Sequence, residues 1–275
     1  MHIGLRAHDY GKLPLEELFK RISDDGFHAI QLAIPKAIEG VNSLDDDVDE
    51  KLLKDIKAAM EKYDIAIPVF GCYVELGHRD PVERQKHVNR FLKGMDFAKY
   101  LGARCIGSET TNFPLDGSVE ERKEAFEGLV DSVSQIVKKG EEIGLDVAIE
   151  PVARHTLNTP QLAKELLTRI PSDRLKIILD PVNLLTAENI HRQDTLYDEC
   201  FEAFGDKIWA LHMKGIKRDA EGNLEKASFE ENEANFKKVI DWVKVNMPET
   251  TVLREEIKPD HAKVDYVYMK SLVEG

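Results

Sequence analysis

The chain has 275 residues, 42% hydrophobic and 32% charged, with 51 acidic against 38 basic side chains and a formal net charge of −13. That composition lies inside the globular range and supplies enough apolar residues for a sizeable core. The acidity argues against general affinity for nucleic acid, whose phosphates need Lys and Arg, and no apolar run approaches the length of a membrane span. Cys72, Cys105 and Cys200 are an odd number without paired zinc-type spacing, so free buried thiols in a reducing compartment are expected. The start, MHIGLRAHDYG, lacks the basic stretch and apolar core of a signal peptide, and the chain reads as a cytoplasmic protein.

In chain order, HIGLR (2–6) reads as a strand, and PLEELFKRISDDG (14–26) as a helix with Leu15, Leu18, Phe19 and Ile22 on one face. HAIQLAI (28–34) is the second strand, followed by a helix over 47–64 through Leu52, Leu53, Ile56 and Met60. AIPVFGC (66–72) is the third strand, and the helix at 84–102 ends at Gly102, a residue suited to a helix C-terminus. RCIGSE (104–109) precedes a long helix over 118–144, which opens with Ser118 and Glu121 in capping-box spacing. DVAIE (146–150), LKIILD (175–180), IWALHM (208–213) and TTVLREEI (250–257) are the later strands. Helices are expected near 159–170, 194–205, 229–247 and 261–273.

Short strands rich in Ile, Val and Leu are those of a parallel sheet buried on both faces. Their regular alternation with helices predicts a (β/α)8 TIM barrel forming a single domain over 1–275. An open doubly wound sheet is disfavoured, because no Gly-rich phosphate fingerprint follows the first strand. The segments 35–46, 73–81 and 181–193 follow strands and are expected on the catalytic face.

In such a barrel, chemistry sits at the C-terminal strand ends. Four successive strands end in candidate ligands: Glu150, Asp180, His212 and either Glu255 or Glu256. Each alone reads as a solvated loop residue or a satisfied core histidine. Together they would set three carboxylates in one pocket, a repulsion that a divalent cation relieves. An oxygen-rich set with one nitrogen suits Mn²⁺ first, with Mg²⁺, Co²⁺ or Zn²⁺ as alternatives. Period-two alternation allows only one of Glu255 and Glu256 to face the pocket.

With IEP at 149–151, LDPVN at 179–183, LHMKG at 211–215 and the paired glutamates at 255–256, the chain resembles the sugar isomerase/epimerase superfamily of xylose isomerase-like barrels, in particular its ketose 3-epimerase-like branch. GCYVELGHRDP (71–81) and IGSETTN (106–112) add to the likeness. The resemblance implies that Glu150, Asp180, His212 and Glu255 hold one divalent metal ion, and that Glu150 and Glu255 are an acid/base pair on opposite sides of a sugar substrate. It favours Glu255 over Glu256, because the group carries a glutamate shortly before a loop proline. The implied reaction is proton transfer through a metal-stabilised enediolate, giving epimerisation or, with return to the neighbouring carbon, isomerisation.

Substrate contacts are expected from His8, Glu109, Arg154, His155, Asn183, Lys214 and Arg218, the last at a position where the epimerases carry a substrate-binding arginine. Two departures bear on the substrate: Asn183 stands where those enzymes have a histidine, and Thr156 where they have a further glutamate. The expected partner is therefore a small sugar or polyol, with no nucleic acid and no membrane, and homo-oligomers occur in this group. Dehydration of an inositol-like ketone and a non-catalytic sugar-binding barrel are the competing readings. An endonuclease IV-like activity lacks its histidines and its basic surface.

Overall fold

The computed structural model describes residues 1–114 and 116–275. Among the described residues, ten strands run in chain order: β1 (His2–Arg6), β2 (Ala29–Leu32), β3 (Ala66–Gly71), β4 (Cys105–Glu109), β5 (Asp146–Glu150), β6 (Leu175–Leu179), β7 (Ile208–Met213), β8 (Gly215–Arg218), β9 (Leu224–Ala227) and β10 (Thr251–Arg254). All but β8 and β9 form a closed barrel in which every neighbouring pair is parallel. β1 closes the ring against β10, with His2 opposite Thr251 and Leu5 opposite Arg254. The outer layer is α1 (Leu15–Asp24), the single-turn α2 (Ile34–Ala37), α3 (Glu50–Tyr63), α4 (Pro81–Leu101), α5 (Val119–Ile143), α6 (Pro160–Arg169), α7 (Gln193–Phe204), α8 (Phe236–Asn246) and α9 (Ala262–Glu274). This is the (β/α)8 barrel expected from the alternating pattern. Among the described residues, no helix is long and apolar enough to cross a membrane.

Local chemistry sets the helix boundaries. Ser118 accepts from the Glu121 amide while the Glu121 carboxylate accepts from the Ser118 amide, a complete capping box for α5. Asp80 accepts from the amides of Val82 and Glu83, and Pro81 occupies a first-turn position that needs no N–H. Gly102 stops α4 in the left-handed region at φ 74°, a conformation a side chain would strain.

Outward strand residues such as Leu179, Leu211 and Val252 join helix residues such as Phe91, Leu129 and Val239 in one continuous apolar layer. A smaller cluster of Val69, Cys105, Ala148, Ile178, Ala210 and Leu253 fills the barrel interior. Gly107 belongs to that interior, and a Cβ there would come within 2.7 Å of Ile178 Cδ1. The barrel is thus packed at its centre, which leaves chemistry to the strand ends. All three cysteines are buried and free.

Among the boundaries that differ from expectation, three bear on the site or the segments around it. The second strand ends at Leu32, because Ile34 and Pro35 begin α2. The last barrel strand ends at Arg254, and Glu256 adopts a left-handed φ of 58° that breaks the extended run. The helix expected from 229 begins only at Phe236, capped by Asn235. Upstream of it lies an antiparallel hairpin, β8 with β9, in which Gly215 faces Ala227 and Arg218 faces Leu224. Its turn is held by Asp219 Oδ1, which accepts from the amides of Glu221 and Asn223, with Gly222 at φ 88°.

Candidate active site

Side-chain alternation carries the inward parity from the filled interior to the strand ends. Ala148 is followed by Glu150, Ile178 by Asp180, Ala210 by His212 and Leu253 by Glu255. All four end residues are buried, with at most 2% of their surface exposed. His212 Nδ1 lies 3.1 Å from Glu150 Oε2 and 3.0 Å from Glu255 Oε1, so the two glutamates flank one imidazole nitrogen. Glu150, Asp180 and His212 each offer a ligand atom within 4.8 Å of the others. Glu256 turns away and pairs with Lys226 of the hairpin at 2.8 Å, so Glu255 is the one of the pair that enters the cluster.

The residues fit a divalent cation. Asp180 Oδ2, His212 Nδ1 and Glu255 Oε1 are buried without a hydrogen-bond partner among the described residues, and all three belong to this cluster. Buried polar atoms ordinarily make regular hydrogen bonds; these three instead converge on one another and on flanking cations, a donor arrangement that suits a bound cation. Three carboxylates and one imidazole form a hard, oxygen-rich donor set.

A surrounding shell orients these groups. Gln31 Oε1 accepts from His212 Nε2 at 2.6 Å, which places a hydrogen on that nitrogen and turns Nδ1 toward the carboxylates. The Gln31 amide in turn donates to Tyr73 Oη at 2.9 Å. Asn183 Nδ2 donates to Glu150 Oε1 at 2.5 Å, and Asp180 Oδ1 accepts from the amides of Val182 and Asn183. Lys214 Nζ lies 3.0 Å from Asp180 Oδ2 and 3.2 Å from Glu255 Oε2. Arg6, clamped to Asp9, places Nη1 3.3 Å from Glu255 Oε1.

These contacts explain the electrostatics. Burial opposes charge on His212, but the Glu255 and Glu150 carboxylates overcome it and raise its pKa well above the ordinary value. Burial likewise opposes the ionised form of Glu255, yet His212, Lys214 and Arg6 hold it well below the usual carboxylate range. Asp180 is raised to about 6 by burial, with Glu255 and Glu150 adding to the effect and Lys214 offsetting part of it. The protein's own cations therefore occupy the charge balance of the cluster.

Of the remaining sequence-nominated residues, five stand at this site or its rim. Asn183 and Lys214 touch the carboxylates as described. Glu109 ends β4 on the inward parity, with Oε2 3.7 Å from His155 Nε2. Burial raises the pKa of Glu109. The His8 ring meets Tyr73 edge-on at 5.8 Å, and burial together with Arg6 and Lys36 lowers its pKa to about 3, so it is neutral. Two nominated contacts are placed elsewhere. Arg154 is exposed in the loop after β5, and its backbone carbonyl accepts from the Phe113 amide. Arg218 lies on the hairpin and is held by Glu233, Nε to Oε2 at 2.8 Å, which commits its guanidinium to a surface pair. Thr156 is buried and ties its loop to Thr111 through the carbonyl of that residue. The sequence reading missed Arg6, Gln31 and Tyr73. Arg6 and Gln31 could have been found from the same alternation, since Arg6 ends β1 and Gln31 is next to last in β2, both on the inward side.

Comparison with known proteins gives a consistent picture. The family model described as xylose isomerase-like TIM barrel matches residues 19–248. Fructoselysine 3-epimerase of Escherichia coli O157:H7 is 24% identical over 227 residues, covering 78% of this chain and 76% of that protein. The crystal structure of a D-tagatose 3-epimerase-like protein superimposes with a TM-score of 0.80 at 17% identity, over 100% of this chain and 97% of the other. D-Psicose 3-epimerase, crystallised in the presence of D-fructose, gives 0.77 at 12% identity over the full length of both chains. At these identities the two structures establish a shared fold.

Proposed function

The chain belongs to the xylose isomerase-like TIM barrel family, and we propose that it is an isomerase, a divalent-metal-dependent epimerase or isomerase of a ketose sugar or sugar derivative. Residues 1–275 act in this reading as one catalytic domain. The observation that carries it is the convergence of Glu150 and Glu255 on His212 Nδ1, at 3.1 and 3.0 Å, in a buried pocket at the strand ends. Its likeness to fructoselysine 3-epimerase supports a ketose as substrate.

Two carboxylates facing one reacting carbon from opposite sides can remove a proton from one face and return one to the other. Glu150 is oriented for this by the Asn183 amide, and Glu255 by Lys214 and Arg6. Return to the opposite face inverts the carbon next to the carbonyl, and return to the neighbouring carbon interconverts aldose and ketose. Glu150, Asp180, His212 and Glu255 would hold the ion, Mn²⁺ in the first instance, and it would supply positive charge beside the enediolate oxygens as the proton leaves. Glu109, His155, His8, Asn183 and Lys214 line the approach and offer donors and acceptors to sugar hydroxyls.

The test is solvent exchange: the protein is incubated with Mn²⁺ and a panel of ketoses in D₂O. Deuterium is expected at the carbon next to the carbonyl, and its absence with every panel member despite bound metal rules the reading out.

Two further results are expected of the metal site. Gln31→Leu frees the His212 ring and removes its acceptor, so Mn²⁺ affinity should fall about 10–100-fold by calorimetric titration. An unchanged affinity would mean that Gln31 does not set the imidazole orientation. Because the raised pKa of His212 keeps it protonated before metal binds, Mn²⁺ should displace about one proton. The sign follows: apparent affinity rises with pH, by about tenfold per unit, until the apoprotein imidazole is itself neutral. Titrations in buffers of different ionisation enthalpy measure the proton directly, and a pH-independent affinity contradicts the assignment.

A further inference from the structure

Between the segments that follow β2 and β3 lies a cavity of about 260 Å³, lined by Lys36, Asn42, Ser43, Gly71, Tyr73 and Arg90 among others. Its cations differ in how they are satisfied. Arg90 is committed to Asp45 at 2.7 Å, as Arg6 and Lys214 are to the carboxylates of the metal cluster. The Lys36 ammonium has no ion-pair partner among the described residues and sits 3.6 Å from the centre of the Tyr73 ring. Tyr73 is also the end of the chain of contacts that runs through Gln31 to His212. The Tyr73 ring therefore carries Lys36 on its face and reaches the cluster through its hydroxyl, and Lys36 feels the charges of Glu109 and Glu255, so this cation is a neighbour of the proposed reacting centre. Burial lowers the pKa of Lys36, a desolvation cost that a bound anion offsets. The cavity falls just below the size of a site for a whole drug-sized ligand, which suits a substituent of one.

Building on the proposed proton-transfer reaction, we propose that Lys36 and this cavity bind an anionic substituent of the substrate, a carboxylate or a phosphate, so that the substrate class is sugar acids or sugar phosphates. Asn42, Ser43 and the free donors of Arg90 would complete the anion's hydrogen bonds.

The experiment compares D-fructose, D-fructose 6-phosphate and D-fructuronate in the Mn²⁺-loaded protein by deuterium exchange. The expected result is a KM for one of the two anionic ketoses about 10–100-fold below that of D-fructose, with the discrimination lost in Lys36→Met and kept in Lys36→Arg. The phosphate and the uronate arms separate the two anion types, and added salt should weaken the preferred one. Equal KM values for all three, or discrimination that survives Lys36→Met, overturns the proposal while exchange itself upholds the proposed reaction. If no ketose exchanges, the reaction fails instead, and calorimetric binding of the two anionic ketoses decides the subsite. Binding that Lys36→Met abolishes supports it; binding equal in the two proteins, or absent from both, overturns it.

Discussion

Glu150→Gln should remove α-proton exchange almost entirely, a loss of about 10³-fold or more at saturating Mn²⁺. Glutamine keeps the shape and the carbonyl oxygen, but it cannot take a proton. Glu255→Gln should fall into the same range, because its carboxylate meets the same imidazole nitrogen. The neighbouring Glu256→Gln is the control that the geometry supplies. That side chain is turned out by a left-handed backbone to meet Lys226, a surface pair worth about 0–1 kcal/mol, so its removal should change the rate by about twofold at most. Measuring exchange together with Mn²⁺ affinity separates lost proton transfer from lost metal. A larger effect at position 256 than at 255 would assign the last strand end to the wrong glutamate.

A second large effect falls on stability. Arg254 and Asp265 form a buried pair on the outer side of β10, Nε to Oδ2 at 2.7 Å, with 4% and 6% of their residue surfaces exposed. The guanidinium also donates to the carbonyls of Met213 and Glu255 and lies 4.1 Å from the centre of the Phe229 ring. Asp265→Ala leaves that guanidinium buried with its carboxylate gone, at a cost of about 3–5 kcal/mol. At about 2–4 °C per kcal/mol for a chain of this size, the melting temperature should fall by roughly 6–20 °C. The double variant Arg254→Met, Asp265→Ala should be less damaging than Asp265→Ala or Arg254→Met alone, because it removes both charges at once. Thermal and denaturant melts of the four proteins complete the cycle, and a single-variant loss under about 1 kcal/mol shows the pair to be dispensable.

The sequence made the barrel legible because parallel strands buried on both faces read as short apolar runs, and because caps such as Ser118 with Glu121 mark helix starts unambiguously. The cluster was legible for a related reason. A carboxylate or imidazole is costly to bury at the end of an apolar run, and four such ends in succession point to one shared cation. Arg6, Gln31 and Tyr73 line the same pocket, but their side chains are not metal ligands, so nothing in their chemistry announced a place around one. The hairpin was invisible because its outgoing and returning strands are four residues each and of mixed burial, without the apolar alternation that identifies a strand. Arg218 followed from that omission: its partner Glu233 lies fifteen residues on, beyond the hairpin's return, a proximity that only the folded chain creates. Arg154 illustrates the opposite case, a residue beside Glu150 in sequence whose loop carries the side chain out to solvent.

Lys214, lodged between Asp180 and Glu255, has a consequence for how the protein is made. Together with His212, whose pKa the glutamates raise, it acts as a resident counter-ion that offsets the repulsion among the carboxylates. If the cluster holds the proposed ion, chain assembly and metal loading are separate events, unlike in small zinc domains, where the ion is the folding energy. On that reading a chelator should silence the protein reversibly without unfolding it.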